Sequence, residues 1–127
     1  MSETRSPQAV SEDVSAKLHD LLTTLWSRSR ESISERLEVL HTTLRLLRAN
    51  PADPLARKSG GDAAHKLAGI LGTFGLPEGT ELARRIEVML ESPAPIRAFE
   101  LDVLQHAIEQ LHQMIEDKSR DAGKRRA

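Results

Sequence analysis

The chain has 127 residues, room for one domain with a single core. Eighteen basic residues against nineteen acidic ones leave a net charge of −1, so no positive excess asks for nucleic acid or an anionic membrane, and neither is expected as a partner. Cysteine is absent, which excludes disulfides and thiolate metal sites and fits a reducing cytoplasm, the expected location.

Charged residues make up 29% of the chain and aromatics only 2%, so the core must be mostly leucine, with Trp26, Phe74 and Phe99 as its large rings. Strand formers are sparse and tyrosine is missing, while Leu, Ala, Glu and Arg dominate; this is the composition of an all-α domain. The longest nearly apolar run, Leu67 to Leu76, holds ten residues and several glycines and cannot span a bilayer. The polar N-terminus lacks the apolar centre of a signal peptide.

In chain order, residues 1–10 are polar, contain Pro7 and show no periodicity, and are expected to form a flexible arm. Ser11 followed by Glu12 and Asp13 predicts a helix start with acids in its first turn. Leu18, Leu21, Leu22, Leu25 and Trp26 continue at helical spacing. Ser27–Ser32 interrupts the stripe, and Ser32 with Glu35 has the spacing of a capping box. Ile33, Leu37, Leu40, Leu44 and Leu47 then resume it, so two helices and one long bent helix fit equally well.

Asn50–Pro54 is a loop by its two prolines and Asx residues. A central helix is expected from Leu55 to Gly75, the glycine serving as a left-handed C-terminal residue. Pro77 and Glu78 open the next helix, with Leu82, Ile86, Met89 and Leu90 on its apolar face. After Ser92–Pro95, the last helix places Phe99, Val103, Leu104, Ile108, Leu111 and Ile115 at three- and four-residue steps, and residues 119–127 read as a flexible charged tail. The short breaks predict an antiparallel four-helix bundle over residues 11–118, built on Ser32–Arg48, Leu55–Phe74, Pro77–Glu91 and Ile96–Lys118. The segment before Ser32 would be an additional N-terminal helix or helix extension.

The central helix carries the one unusual pattern. With His65 at zero and about 100° per residue, Ala63, Leu67, Ile70, Leu71 and Phe74 cluster near the opposite pole and define a buried stripe. His65 then centres the solvent face, with Gly69 and Gly72 on one side, Lys58, Gly61 and Asp62 on the other, and Ala68 at the edge. Three glycines on one exposed helix face each cost about 1 kcal/mol against alanine. They leave the imidazole open to another protein, or they mark a face that packs closely on a neighbouring helix. His19, His41, His106 and His112 have no partners at metal-ligand spacing and read as ordinary surface or boundary histidines; no metal site is expected.

His65-Lys-Leu-Ala-Gly69, then Gly72-Thr-Phe-Gly-Leu76, followed by Leu82-Ala-Arg-Arg-Ile-Glu87, resembles the signature of the histidine phosphotransfer (HPt) domain. The resemblance covers most of Val14 to Ile115. It departs at Ala68, where many members of the family carry lysine, and at Ile70, where a small polar residue is common; Lys66 stands in as the basic residue.

The resemblance implies a phosphorelay intermediate. His65 would take a phosphoryl group from a receiver-domain aspartate, through Nε2, and pass it to another receiver aspartate, with Lys66 assisting. The partners would be response-regulator receiver domains and a hybrid histidine kinase, and the chain itself would be a monomer. No cofactor is expected, the receiver bringing the Mg²⁺. The glycines follow neither a P-loop nor a kinase pattern, so intrinsic kinase activity is not expected. Lys58, Gly61, Asp62, Ala68, Gly69, Gly72, Arg84 and Arg85 form the candidate receiver-docking set. Lys58, Arg84 and Arg85 read equally as solvated surface charges, and Lys124-Arg-Arg126 as a solubilising tail. A chain that begins at Met1 with one domain reads as a free-standing carrier, or else as a module of a hybrid kinase. The alternative function is a non-catalytic adaptor that binds a receiver or a helix through the glycine-rich face around His65.

Overall fold

The computed structural model describes the backbone of residues 7–126 and the side chains of residues 11–121. It contains four helices: α1 (Pro7–Ala49), α2 (Pro54–Thr73), α3 (Pro77–Glu91) and α4 (Ala98–Arg126). No strand occurs among the described residues, and no helix there is long and apolar enough to cross a membrane.

The breaks lie where proline, glycine and capping chemistry put them. Pro54 opens α2, and the Asp53 carboxylate accepts the Ala56 N–H at 3.1 Å. Gly75, at φ +70°, ends that helix in the left-handed region. The Leu76 N–H reaches Leu71 O at 2.9 Å and the Gly75 N–H reaches Gly72 O at 3.2 Å, the paired bonds of a Schellman motif.

The helices contact one another in a closed ring, α1 with α2, α2 with α3, α3 with α4 and α4 with α1. Cross-helix pairs give the directions. Thr43 of α1 donates to Ala56 O at the start of α2, while Trp26 meets Phe74 at its end, edge to face with centroids 5.0 Å apart. The early residue Arg57 of α2 donates to Leu90 O at the end of α3, and the Trp26 indole N–H donates to Ser119 near the end of α4. Neighbours are antiparallel around one core of Trp26, Ile33, Leu40, Leu47, Leu67, Leu71, Ile86, Leu104, Ile108 and Leu111.

Four expectations are corrected. α1 starts at Pro7, ahead of the expected cap at Ser11, and of the two readings left open at Ser27–Ser32 the single helix, 43 residues long, is the one found; residues 1–6 of the expected arm lie outside the described residues. Leu18, Leu21 and Leu25 are exposed rather than in the core. So are Phe99 and Val103, which sit off the inner face of α4. Ser119 is buried beneath Trp26 and α4 runs on to Arg126, in place of a tail from residue 119; the side chains of Lys124–Arg126 lie outside the described residues.

Candidate functional site

The seam between α2 and α3 is built from small residues. Gly60, Gly61, Ala64 and Ala68 are all buried. A Cβ at Gly60 would stand 2.7 Å from Thr43 Cγ2 and 2.8 Å from Leu90 Cδ1, so side chains of α1 and α3 already fill the space that a side chain there would need. Thr80 of α3 donates its hydroxyl across the seam to Ala68 O at 3.0 Å. The buried arc of α2 is therefore turned by roughly 60° towards α3 from the stripe centred opposite His65.

That rotation puts His65 at the lip of the seam, with its side chain 74% exposed. Glu87 of α3, 18% exposed, sets Oε2 2.9 Å from His65 Nδ1. Accepting a hydrogen bond from Nδ1–H is the one role open to an ionised carboxylate here, and it fixes the neutral imidazole as the Nδ1–H tautomer. Nε2 then carries the free lone pair. Beside the ring runs a shallow groove lined by Ala68, Gly69, Arg84, Glu87, Val88 and Glu91.

Of the sequence candidates, His65, Ala68, Gly69 and Arg84 come together at this groove. Gly69 has nothing within 4 Å of its missing Cβ and is the open position of the face. Gly72 is exposed, but Thr80 Oγ1 lies 3.4 Å from where its Cβ would be. Gly61 and Ala68 are buried, Gly61 against Glu91 and Ala68 under Thr80, and each reaches only the floor of a groove, Ala68 beside His65 and Gly61 beside Lys58. The small residues at 61 and 68 serve close helix packing, the reading that competed with access. Lys58 and Asp62 are exposed one step along the same seam, in a second groove that also contains Glu91. Arg85 faces the other way, bound to Glu81 at 2.8 Å on the α3–α4 side. Lys66 is exposed and does not line the His65 groove.

Glu87 entered the sequence reading only as part of a pattern and received no role there. It lies 22 residues from His65, and only the closeness of the small-residue seam brings the two together. His41 and His112, read as unrelated, meet across α1 and α4 with Nε2 and Nδ1 3.1 Å apart. Among the described residues no group of three or more His, Cys, Asp or Glu side chains is placed to hold a metal ion.

The bundle thus presents an exposed imidazole, held through Nδ1, on its second helix. The sequence model of the Hpt domain matches residues 24–120, and the chain belongs to that family. Protein RcaC of Microchaete diplosiphon is 34% identical over 65 residues, which is 51% of this chain and 10% of that protein. The chain thus spans about a tenth of the length of this relative. No solved structure matches it. Membership places the protein in phosphorelay signalling of the two-component type, whose Hpt domains interact with response-regulator receiver domains and kinases.

Proposed function

We propose that His65 accepts a phosphoryl group from the aspartyl phosphate of one receiver domain and gives it to the aspartate of another, in the cytoplasm. The contact that carries this reading is His65 Nδ1 to Glu87 at 2.9 Å, which leaves Nε2 as a free nucleophile at an exposed position. In the forward step an Nε2–P bond forms as the P–O bond to the donor aspartate breaks, and the aspartate leaves as a carboxylate. Positive charge develops on the ring, and the Glu87 carboxylate, holding Nδ1–H, stabilises it. The reverse step returns the phosphoryl group to a second carboxylate. Transfer of this kind needs positioning and positive charge more than proton movement, and the receiver supplies the Mg²⁺.

A cation on this chain is also needed, since Ala68 occupies the position where many relatives carry lysine. Arg84 shares the groove with His65 and is the better placed of the two candidates, with Lys66 on the neighbouring flank. Arg84→Ala should slow transfer with little loss of receiver affinity, because the contact strengthens only as the phosphoryl group moves. If Lys66→Ala slows transfer and Arg84→Ala does not, the role belongs to Lys66. The function itself is tested by incubating the protein with a phosphorylated receiver and following acid-labile label. His65→Gln should take up none; label on that variant would remove the function from this site.

A further inference from the structure

Arg57, in the first turn of α2, is the one buried charged residue among the described residues, 8% exposed. Its Nε–H donates to Leu90 O at 3.1 Å and its Nη1–H to Ala94 O at 2.7 Å. Leu90 belongs to the last turn of α3, whose carbonyls have no partner within the helix and carry the negative end of its dipole. Ala94 lies in the loop that follows. That loop is fastened in turn to the residues ahead of α2, by the Ile96 N–H on Pro51 O at 3.3 Å. Stability does not account for an arginine at this place. No carboxylate among the described residues pairs with the guanidinium, and Nη2 is buried without a partner. Burying a charge on those terms costs more than burying an apolar side chain of similar volume. What the guanidinium supplies is direction, with two bonds from one rigid plane to backbone atoms of the neighbouring helix and loop.

The α2–α3 seam needs such a device. Gly60, Gly61, Ala64 and Ala68 offer few knobs to resist sliding, and apolar contacts such as Leu90 on Gly60 are non-directional. Arg57 holds α3 near one end of the seam, and the Thr80 hydroxyl on Ala68 O holds it near the other. The reacting pair stands between them. By helical rise His65 lies about 12 Å along α2 from Arg57, and Glu87 about 4.5 Å along α3 from Leu90. Their 2.9 Å contact is lost if α3 slides by about 1 Å, because a hydrogen bond fails beyond about 3.5 Å. Glu87 is 18% exposed and has little room to follow. We infer that Arg57 is a positioning residue for His65: by setting the axial register of α3 on α2 it keeps Glu87 on Nδ1 and so leaves Nε2 free. The inference rests on the phosphotransfer reading for its effect on rate, but not for its effect on the tautomer, a property of the unphosphorylated protein.

Nitrogen-15 spectra of the unphosphorylated full chain test this in two variants. Arg57→Met keeps the apolar stem and removes both bonds, while Arg57→Lys keeps the charge but replaces the planar fork by a single nitrogen. In both, His65 should pass from the Nδ1–H tautomer to a mixture of the two. Transfer from a phosphorylated receiver should slow by up to about tenfold in either. Because Arg57 acts through Glu87, neither substitution should slow transfer further when added to Glu87→Ala. A changed tautomer with normal transfer would uphold the positioning role and count against the proposed function instead. An unchanged His65 tautomer in the folded variants, or a rate loss that multiplies with that of Glu87→Ala, would overturn the proposal. So would loss of the fold in both variants, which would make Arg57 a residue of stability.

Discussion

Two of the four seams of the bundle, α1–α4 and α2–α3, hold by opposite means. α1 and α4 join through bulk, with Trp26, Leu40 and Leu47 against Leu104, Ile108 and Leu111, all buried, and one buried hydrogen bond from Trp26 to Ser119. α2 and α3 join through the lack of it, at Gly60, Gly61, Ala64 and Ala68. A seam of large side chains supplies most of the apolar burial and tolerates some repacking. A seam of small ones brings two backbones close enough for a short carboxylate side chain on one helix to reach a ring on the other. The bulky half stabilises the fold, and the narrow half positions Glu87 on His65.

This contrast breaks most sharply at Trp26. Trp26→Ala removes the largest core side chain and leaves the Ser119 hydroxyl without its donor, so it should cost about 3–5 kcal/mol, read by chemical denaturation. Label uptake by the fraction still folded should be near normal, because the narrow seam lies elsewhere. Glu87→Ala should do the reverse. Unfolding free energy should fall by no more than about 1 kcal/mol, since the His65 partner is solvated, while transfer slows by about tenfold or more as the imidazole loses its fixed tautomer. Unchanged transfer in Glu87→Ala would deprive the narrow seam of its chemical purpose.

The same substitution should act in opposite senses at two glycines. Alanine at either position gains up to about 1 kcal/mol of helix propensity. At Gly60 the added Cβ meets Thr43 and Leu90 below 3 Å, and overpacking of about 1–3 kcal/mol should win, giving net loss. At Gly69 nothing lies within 4 Å, so Gly69→Ala should stabilise. Thermal melts of the two variants should move in opposite directions. Gly69→Leu keeps the fold and should block receiver docking; normal transfer in that variant would contradict the open face. The smallest effect belongs to His65→Gln, whose stability should change by no more than about 0.5 kcal/mol despite complete loss of label.

Much of this was legible in the residues. Leucine spacing, the prolines at 51, 54, 77, 93 and 95, and Gly75 mark four helices and their breaks with little error. The facing of three helices is where the pattern falls short. Alanine and glycine carry almost no hydrophobic signal, so the apolar pattern of α2 centres its buried arc on Leu67, Ile70, Leu71 and Phe74 and leaves Gly61 and Ala68 on the open face. On α1 and α4 the periodicity of Leu18, Leu21, Leu25, Phe99 and Val103 was real, yet a period reports an apolar face and not whether this chain covers it. The Glu87–His65 contact was out of reach for a different reason: it depends on an interhelical distance, which no local pattern encodes.

The central claim is that Glu87 holds Nδ1–H and leaves Nε2 to carry the phosphoryl group. Nitrogen-15 spectra of the histidine rings, recorded before and after phosphorylation by a receiver, test it directly. The Nδ1–H tautomer is expected at His65 in the free protein and lost in Glu87→Ala, with phosphorus coupling to His65 Nε2 after transfer. An Nε2–H tautomer, or phosphorus on Nδ1 or on any other histidine, would contradict it.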